Sequence, residues 1–133
     1  MNEAVIVLLT LSYSLILGII VAQVILTAPV VFKVLDNENA SKFLRAIFPR
    51  YYLLLFLICL VASLISYLWF SAVDTWIALT ASMLAFIGFI IIPVTNSARD
   101  RGWNKLFKIL HNISVLNTII LFIIAVAQLV RIS

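Results

Sequence analysis

A small set of polar and aromatic residues stands out in a sequence that is otherwise strongly apolar. They fall in two stretches, around residue 50 and over 96–117, and combine guanidinium, carboxylate, imidazole, amide and phenol groups. Such groups, when they converge among aromatic rings, are suited to binding a small polar or amphiphilic molecule. The candidate ligand-binding residues are Arg50, Tyr51, Asn96, Arg99, Asp100, His111 and Asn117.

The sequence identifies no catalytic residue. It contains no glycine-rich phosphate loop, CxxC pair or nucleophile elbow. His111 is the only histidine, so a site of several histidines within one chain is excluded. The His111 side chain is the only candidate imidazole ligand for a metal. It can serve as an axial haem ligand, as one ligand of a metal site shared by a dimer, or as a pH-sensitive group. No cofactor is implied beyond haem as an alternative, and the balance favours a non-enzymatic protein.

Composition places the chain in a membrane. Apolar residues make up 65% of it and charged residues 11%, with a mean hydropathy of +1.25. Four uncharged runs, 4–32, 51–73, 75–98 and 109–130, can each cross a bilayer, because roughly 30 Å of hydrocarbon needs about 20 helical residues. We therefore expect an all-α polytopic membrane protein, a single domain over 1–133 with four transmembrane helices in an antiparallel bundle.

The nine Lys and Arg residues are distributed unevenly along the chain. Four lie in the first connection and four in the third, whereas only Arg131 lies on the side of the termini and the second connection. The positive-inside rule then predicts that both termini face outward and that the first and third connections lie in the cytoplasm. This topology brings the two polar stretches to one membrane face.

The same distribution indicates the partners. Basic residues that flank apolar spans meet anionic headgroups, so membrane lipid, and no nucleic acid, is expected to account for the net charge of +4. A homo-oligomer and a larger membrane complex both stay open as protein assemblies.

Both basic connections have helical patterns of their own. Apolar residues over 40–48 recur at helical spacing, which predicts a short amphipathic interfacial helix that is capped by Asp36 or Asn37 and ended by Pro49. The apolar spacing over 103–110 predicts a second interfacial helix, either separate from the fourth span or continuous with it.

Several positions within the spans have predicted structural roles. Ser14, Gly18 and Ala22 form a stripe of small residues, which is interpreted as a packing seam inside the bundle. Pro29 removes a backbone donor and is expected to kink or end the first span. Asp74 is predicted to be the N-cap of the third span.

Four motifs in order point to a known family. They are Ala28-Pro29-x-x-Phe32, Phe48-Pro49-x-Tyr51, Asn96-x-x-Arg99-Asp100 and Phe107-x-x-x-His111-x-x-Ser114-x-x-Asn117. Over about residues 18–121 the chain resembles the small membrane family typified by transmembrane protein 205, which in bacteria is catalogued as domain of unknown function 4149. The resemblance implies four membrane helices and an activity that is not established. It also implies that the family's polar positions correspond here to Asn96, Arg99, Asp100, His111 and Asn117.

Three functional hypotheses follow. An animal relative in that family is associated with tolerance to platinum drugs, and by analogy the resemblance points to a binding or accessory protein for a small amphiphile or a metal complex, with a cytoplasm-facing site. The alternatives are a haem- or quinone-linked redox protein that uses His111 and a structural subunit of a larger membrane complex.

Overall fold

The computed structural model describes residues 2–133 of the chain. The helices are α1 (Glu3–Val21), a π-helical segment (Ala22–Thr27), α2 (Ala28–Val34), α3 (Asn37–Trp69), α4 (Ala72–Asp100) and α5 (Asn104–Ile132). Because the first three are continuous, residues 2–133 contain four helices that are long and apolar enough to cross a membrane. The predicted all-α fold with four membrane helices is confirmed.

Each of the four long helices packs against two neighbours. α1 and α4 both pack against α3 and α5, so α1 lies diagonally across the bundle from α4, and α3 lies diagonally across from α5. The most extensive contact joins α3 and α4. The buried face of α4 there carries Ala78, Ala81 and Ala85, and such small side chains let helices approach closely in lipid.

The core combines large side chains from α1, α3 and α5 with small ones from α4. Leu9 and Tyr13 of α1, Leu55 of α3 and Leu121 of α5 are buried, whereas α4 contributes Ala78, Ala81 and Ala85. Many leucine, isoleucine and valine side chains point outward instead. An apolar exterior of this kind fits a bundle whose surroundings are hydrocarbon rather than water.

One helix contact depends on the absence of a side chain. A Cβ atom added to Gly88 of α4 would lie 2.3 Å from Cε1 of Tyr52 on α3. The Tyr52 ring occupies the space that any other residue at position 88 would fill, and its hydroxyl reaches across the bundle to α5, where it bonds to the Ser114 carbonyl oxygen at 3.3 Å. Gly88 therefore allows a tyrosine to bridge two helices that do not otherwise pack together.

Two prolines lie within continuous helices. Pro29 begins α2 directly after the π-helical segment, and the helix continues to Val34 rather than ending. Pro49 lies inside α3, so the prediction that it ends a separate interfacial helix is wrong. Proline removes only one donor from the helical ladder, and the Arg50 guanidinium donates to the Ala46 carbonyl oxygen at 2.6 Å in the turn before it. The interfacial segment is therefore the first part of the second membrane helix.

The helix starts also differ in part from expectation. Asp36 is confirmed as the cap of α3, where its carboxylate accepts from the Asn39 amide at 3.0 Å. The cap of α4 is Ser71 and not Asp74, because the Ser71 hydroxyl oxygen accepts from the Asp74 amide at 3.1 Å. The Ser71 hydroxyl in turn donates to the Asp74 carboxylate, so the two side chains fix each other at the start of α4. The predicted second interfacial helix is continuous with the fourth span, since α5 begins at Asn104.

The stripe of small residues on α1 lies on the outside of the bundle. Ser14 and Gly18 are exposed, and a Cβ atom added to Gly18 would meet nothing within 4 Å. The neighbouring face, with Tyr13 and Ile16, is the buried one. The prediction of a seam inside the bundle is therefore wrong, because the large side chains of α1, and not the small ones, fill the interior.

Candidate functional site

An ion pair joins the start of α3 to the end of α4, at the end of the bundle where most of the basic residues lie. Arg45, near the start of α3, donates two hydrogen bonds to Asp100 at the end of α4, at 2.8 and 2.5 Å. Both side chains are partly exposed, so solvent screens their attraction and the pair adds little to stability. Its main consequence is positional, since it brings the first and third connections together at one end of the bundle.

Beside this ion pair, two candidate residues, Arg99 and His111, stack on the ring of Phe107. The central carbon of the Arg99 guanidinium lies 5.6 Å from the centroid of the Phe107 ring. The His111 ring stacks on the same phenyl ring, with the two centroids 5.9 Å apart and an interplanar angle of 17°. His111 is exposed. The structure thus places a cation and an imidazole on one aromatic ring at the basic end of the bundle, and we call Arg99, Phe107 and His111 the mouth.

A second layer of polar groups lies deeper, where Tyr51 and Tyr52 of α3 meet α5. Their rings are 4.9 Å apart and nearly perpendicular. The Tyr52 hydroxyl lies 3.2 Å from the Thr118 hydroxyl and bonds to the Ser114 backbone. Asn117, on the same turn of α5, donates its amide to the Leu84 carbonyl oxygen of α4 at 2.8 Å. We call Tyr51, Tyr52, Ser114, Asn117 and Thr118 the inner polar cluster.

Besides Gln23 and Ser66 elsewhere in the bundle, three members of the inner polar cluster have buried side-chain atoms without a hydrogen-bond partner among residues 2–133. They are the Tyr51 hydroxyl, the Ser114 hydroxyl and the Asn117 side-chain oxygen. Tyr51 and Asn117 are only 6% and 5% exposed. Unpaired buried polar atoms are costly and few in native proteins, so each indicates either strain or a group that pairs with something outside the chain.

The remaining candidates contribute less. Asn96 is half-buried on α4, one turn before Asp100. Arg50 is exposed and bonds within its own helix. Of the predicted residues, the structure brings Arg99 and His111 together at the mouth and places Tyr51 and Asn117 in the interior below it; Asp100 is held by Arg45.

The opposite end of the bundle contains a polar cluster that the sequence did not single out. Asp74 is only 2% exposed and accepts a hydrogen bond from the Nε of Arg131, which is 51% exposed, at 2.9 Å. Gln128, one turn before Arg131, is buried and bonds to the Tyr13 hydroxyl at 3.4 Å. Together with the Ser71 cap, these residues tie the start of α4 to the end of α5 and to α1.

One signal in the sequence could have found this cluster. Asp74 is the only acid of the second connection, and Arg131 is the only cation predicted on the same membrane face. Besides Glu3 at the start of α1, Asp74 and Arg131 are the only charged side chains predicted on that face, and a charge near lipid is stable only when it is paired. The predicted capping role of Asp74 involved only its own helix, α4, and did not include the ion pair with Arg131 of α5.

The donor groups define what each end can bind. Within residues 2–133, no three His, Cys, Asp or Glu side chains lie close enough to hold a metal ion together. The inner polar cluster instead offers hydroxyl and amide groups, which pair with neutral hydrogen-bonding groups, below a mouth that carries guanidinium groups and aromatic rings. This chemistry suits a molecule with polar and apolar parts.

Fold and composition define the class: an integral membrane protein built from four packed helices, each long enough to span a bilayer. Residues 11–104 match the family described as Domain of unknown function (DUF4149), and the chain belongs to that family. No curated protein and no solved structure matches the chain significantly. The predicted resemblance to domain of unknown function 4149 is therefore confirmed. The link to transmembrane protein 205 stays a prediction.

Proposed function

We propose that the protein binds a small amphiphilic molecule in the bacterial inner membrane, as a binding or accessory protein whose site opens to the cytoplasm. The site consists of the mouth, with Arg99, Phe107 and His111, and of the inner polar cluster below it. The single observation that carries this proposal is the set of unpaired buried atoms in Tyr51, Ser114 and Asn117.

The position of these atoms supports a ligand in the interior. They belong to α3 and α5, which lie diagonally across the bundle and are connected there by the Tyr52 side chain. A hydrogen-bonding group bound between these helices would satisfy atoms that the chain itself leaves unpaired. An apolar remainder of the same molecule would contact the helix faces or the surrounding lipid.

A growth assay tests the proposal. A strain without the gene should become more sensitive to an amphiphile such as deoxycholate or to cisplatin, and the wild-type chain should restore growth. Tyr51→Phe and Asn117→Ala should each fail to restore it, because each removes a group from the inner polar cluster. Tyr67→Phe is the matched control, since Tyr67 lies on the same helix and is exposed.

Two results of that assay would contradict the proposal. If Tyr51→Phe and Asn117→Ala, at wild-type abundance, restored growth as fully as Tyr67→Phe, the inner polar cluster would not be the site. If the deletion did not change sensitivity to deoxycholate, an amphiphile-handling role would be wrong, whatever its effect on cisplatin sensitivity. His111→Ala provides a separate measurement, because wild-type behaviour would remove His111 from the site without affecting the cluster.

The proposed orientation has its own test, in a Cys59→Ser background that removes the only native thiol. A membrane-impermeant maleimide should modify Lys42→Cys and Lys105→Cys only after cells are permeabilised, because both positions lie at the basic end. It should modify Val73→Cys in intact cells, since position 73 lies at the other end. Labelling of Lys42→Cys and Lys105→Cys from opposite sides would exclude the proposed mouth.

A further inference from the structure

Most of the cations at the basic end have no acidic partner. Within residues 2–133, Lys42 pairs with Glu38 and Arg45 pairs with Asp100. The other six basic residues of this end form no ion pair in that part of the chain; they are Lys33, Arg50, Arg99, Arg101, Lys105 and Lys108. Four of these six lie in a single short segment, 99–108, which we call the α4–α5 connection.

The one acid of the α4–α5 connection does not neutralise it. Asp100 is held by two hydrogen bonds from Arg45, which belongs to α3. The first turn of α5 has no acidic residue either. The connection therefore presents concentrated positive charge that the rest of the chain leaves uncompensated, and the complement of such a surface is a dense array of anions.

The turn holds these cations against aromatic rings. Gly102 has a φ of +71°, the left-handed conformation that glycine adopts without strain, and the Trp103 amide closes the turn by donating to the Ala98 carbonyl oxygen at 2.9 Å. The Arg101 guanidinium lies over the Trp103 ring at 4.9 Å. A guanidinium that stacks on a ring keeps its in-plane N–H groups available, and these match the oxygens of a phosphate.

Exposed apolar side chains lie in the same segment as the cations. Trp103 and Leu106 are both exposed, although a surface that met only water and soluble anions would gain nothing from exposing them. Tryptophan beside basic residues is typical of the level at which lipid headgroups meet the acyl chains. The combination of cations and apolar groups thus matches a molecule that is anionic at one end and apolar at the other.

We propose that the α4–α5 connection is a binding site for the headgroup of an anionic phospholipid of the surrounding membrane. The guanidinium and ammonium groups bind the phosphate, while the exposed Trp103 ring and Leu106 contact the upper part of the acyl chains. This site shares Arg99 and Phe107 with the mouth, but it contains no residue of the inner polar cluster, and the variants that test it leave Arg99 and Phe107 unchanged.

Two triple variants of equal charge test the proposal. The connection variant carries Arg101→Gln, Lys105→Gln and Lys108→Gln, and the control variant carries Lys33→Gln, Lys42→Gln and Arg50→Gln at the same end of the bundle. Each protein is reconstituted in mixed micelles with equal amounts of phosphatidylglycerol and phosphatidylcholine, and the lipid that co-purifies with it is quantified by mass spectrometry.

We expect phosphatidylglycerol to be enriched on the wild-type protein and the control variant. The connection variant should lose this enrichment by about tenfold or more, because each basic residue near a membrane surface strengthens binding of anionic lipid about fivefold. An equal loss from both triple variants would overturn the proposal, since the basic end would then attract lipid only through its total charge. No enrichment on the wild-type protein would overturn it as well.

Inorganic phosphate separates a lipid site from a site for a soluble anion. If free phosphate at constant ionic strength displaces the bound phosphatidylglycerol, whereas an equal ionic strength of chloride does not, the site recognises phosphate alone and the lipid proposal is wrong. Should the connection variant fail to fold by circular dichroism, Lys105→Gln and Lys108→Gln singly provide the same comparison, with an expected loss of about fivefold each.

Discussion

Replacing Gly88 with alanine should destabilise the folded bundle by about 2 kcal/mol. The new Cβ would lie 2.3 to 2.8 Å from three atoms of the Tyr52 ring, and overpacking in a well-packed core costs about 1–3 kcal/mol. The ring has little freedom to move aside, because Tyr52 is buried and its hydroxyl is held by Ser114 and Thr118. Unfolding in mixed SDS micelles, followed by circular dichroism, measures the change.

Gly18→Ala is the matched control, with the opposite expected sign. An alanine at position 18 would meet nothing within 4 Å, and the change from glycine to alanine within a helix favours folding by about 0.5–1 kcal/mol. The same gain applies to Gly88→Ala, so the clash must exceed it for the protein to be destabilised. Tyr52→Leu should reduce the cost of Gly88→Ala in the double variant. Equal effects of the two glycine substitutions would show that Tyr52 does not pack on Gly88.

Removing the charge of Arg131 should have the largest effect of any single change at the opposite end. Arg131→Gln leaves the Asp74 carboxylate buried without a countercharge. Breaking a fully buried ion pair from one side costs about 3–5 kcal/mol. We expect about 2 kcal/mol here, because Arg131 is itself half-exposed and the Ser71 hydroxyl still donates to Asp74. The same unfolding measurement applies, and the destabilisation should change little with salt because Asp74 is shielded from solvent.

Two comparisons show whether this cost comes from the unpaired carboxylate. The double variant Asp74→Asn with Arg131→Gln should be more stable than Arg131→Gln alone, because no buried charge remains. Lys42→Gln should cost less than about 1 kcal/mol, since its pair with Glu38 is exposed on both sides. A double variant as unstable as the sum of its two single variants would mean that Asp74 and Arg131 stabilise the fold independently.

These two predictions concern different layers of one architecture. Gly88 packs on Tyr52, a member of the inner polar cluster. Asp74 and Arg131 join α4 to α5 at the opposite end of the bundle. The proposed ligand site therefore lies between a tight helix contact and a mouth joined by an exposed ion pair.

Much of the candidate site could be predicted from the sequence, but not its internal arrangement. The spacing of basic residues indicated that the two polar stretches share one end, and the Arg45–Asp100 bond shows that they do. The sequence did not indicate that Asp100 pairs with Arg45 rather than with Arg99, since that contact joins residues from different hairpins. Tyr52, Ser114 and Thr118 were also missed as members of the site, because their roles depend on the distance between α3 and α5.

The sequence by itself determined the number of membrane helices, their approximate limits, the end of the bundle that carries the basic residues and the family. Each of these depends on hydropathy and charge summed over many residues, and lipid imposes both regardless of tertiary contacts. Only the tertiary structure decided which face of each helix is buried. Lipid is as apolar as a protein core, so hydrophobicity cannot distinguish an outward face from an inward one. For that reason the small residues of α1 lie outside, and Asp74 has its partner at the end of α5.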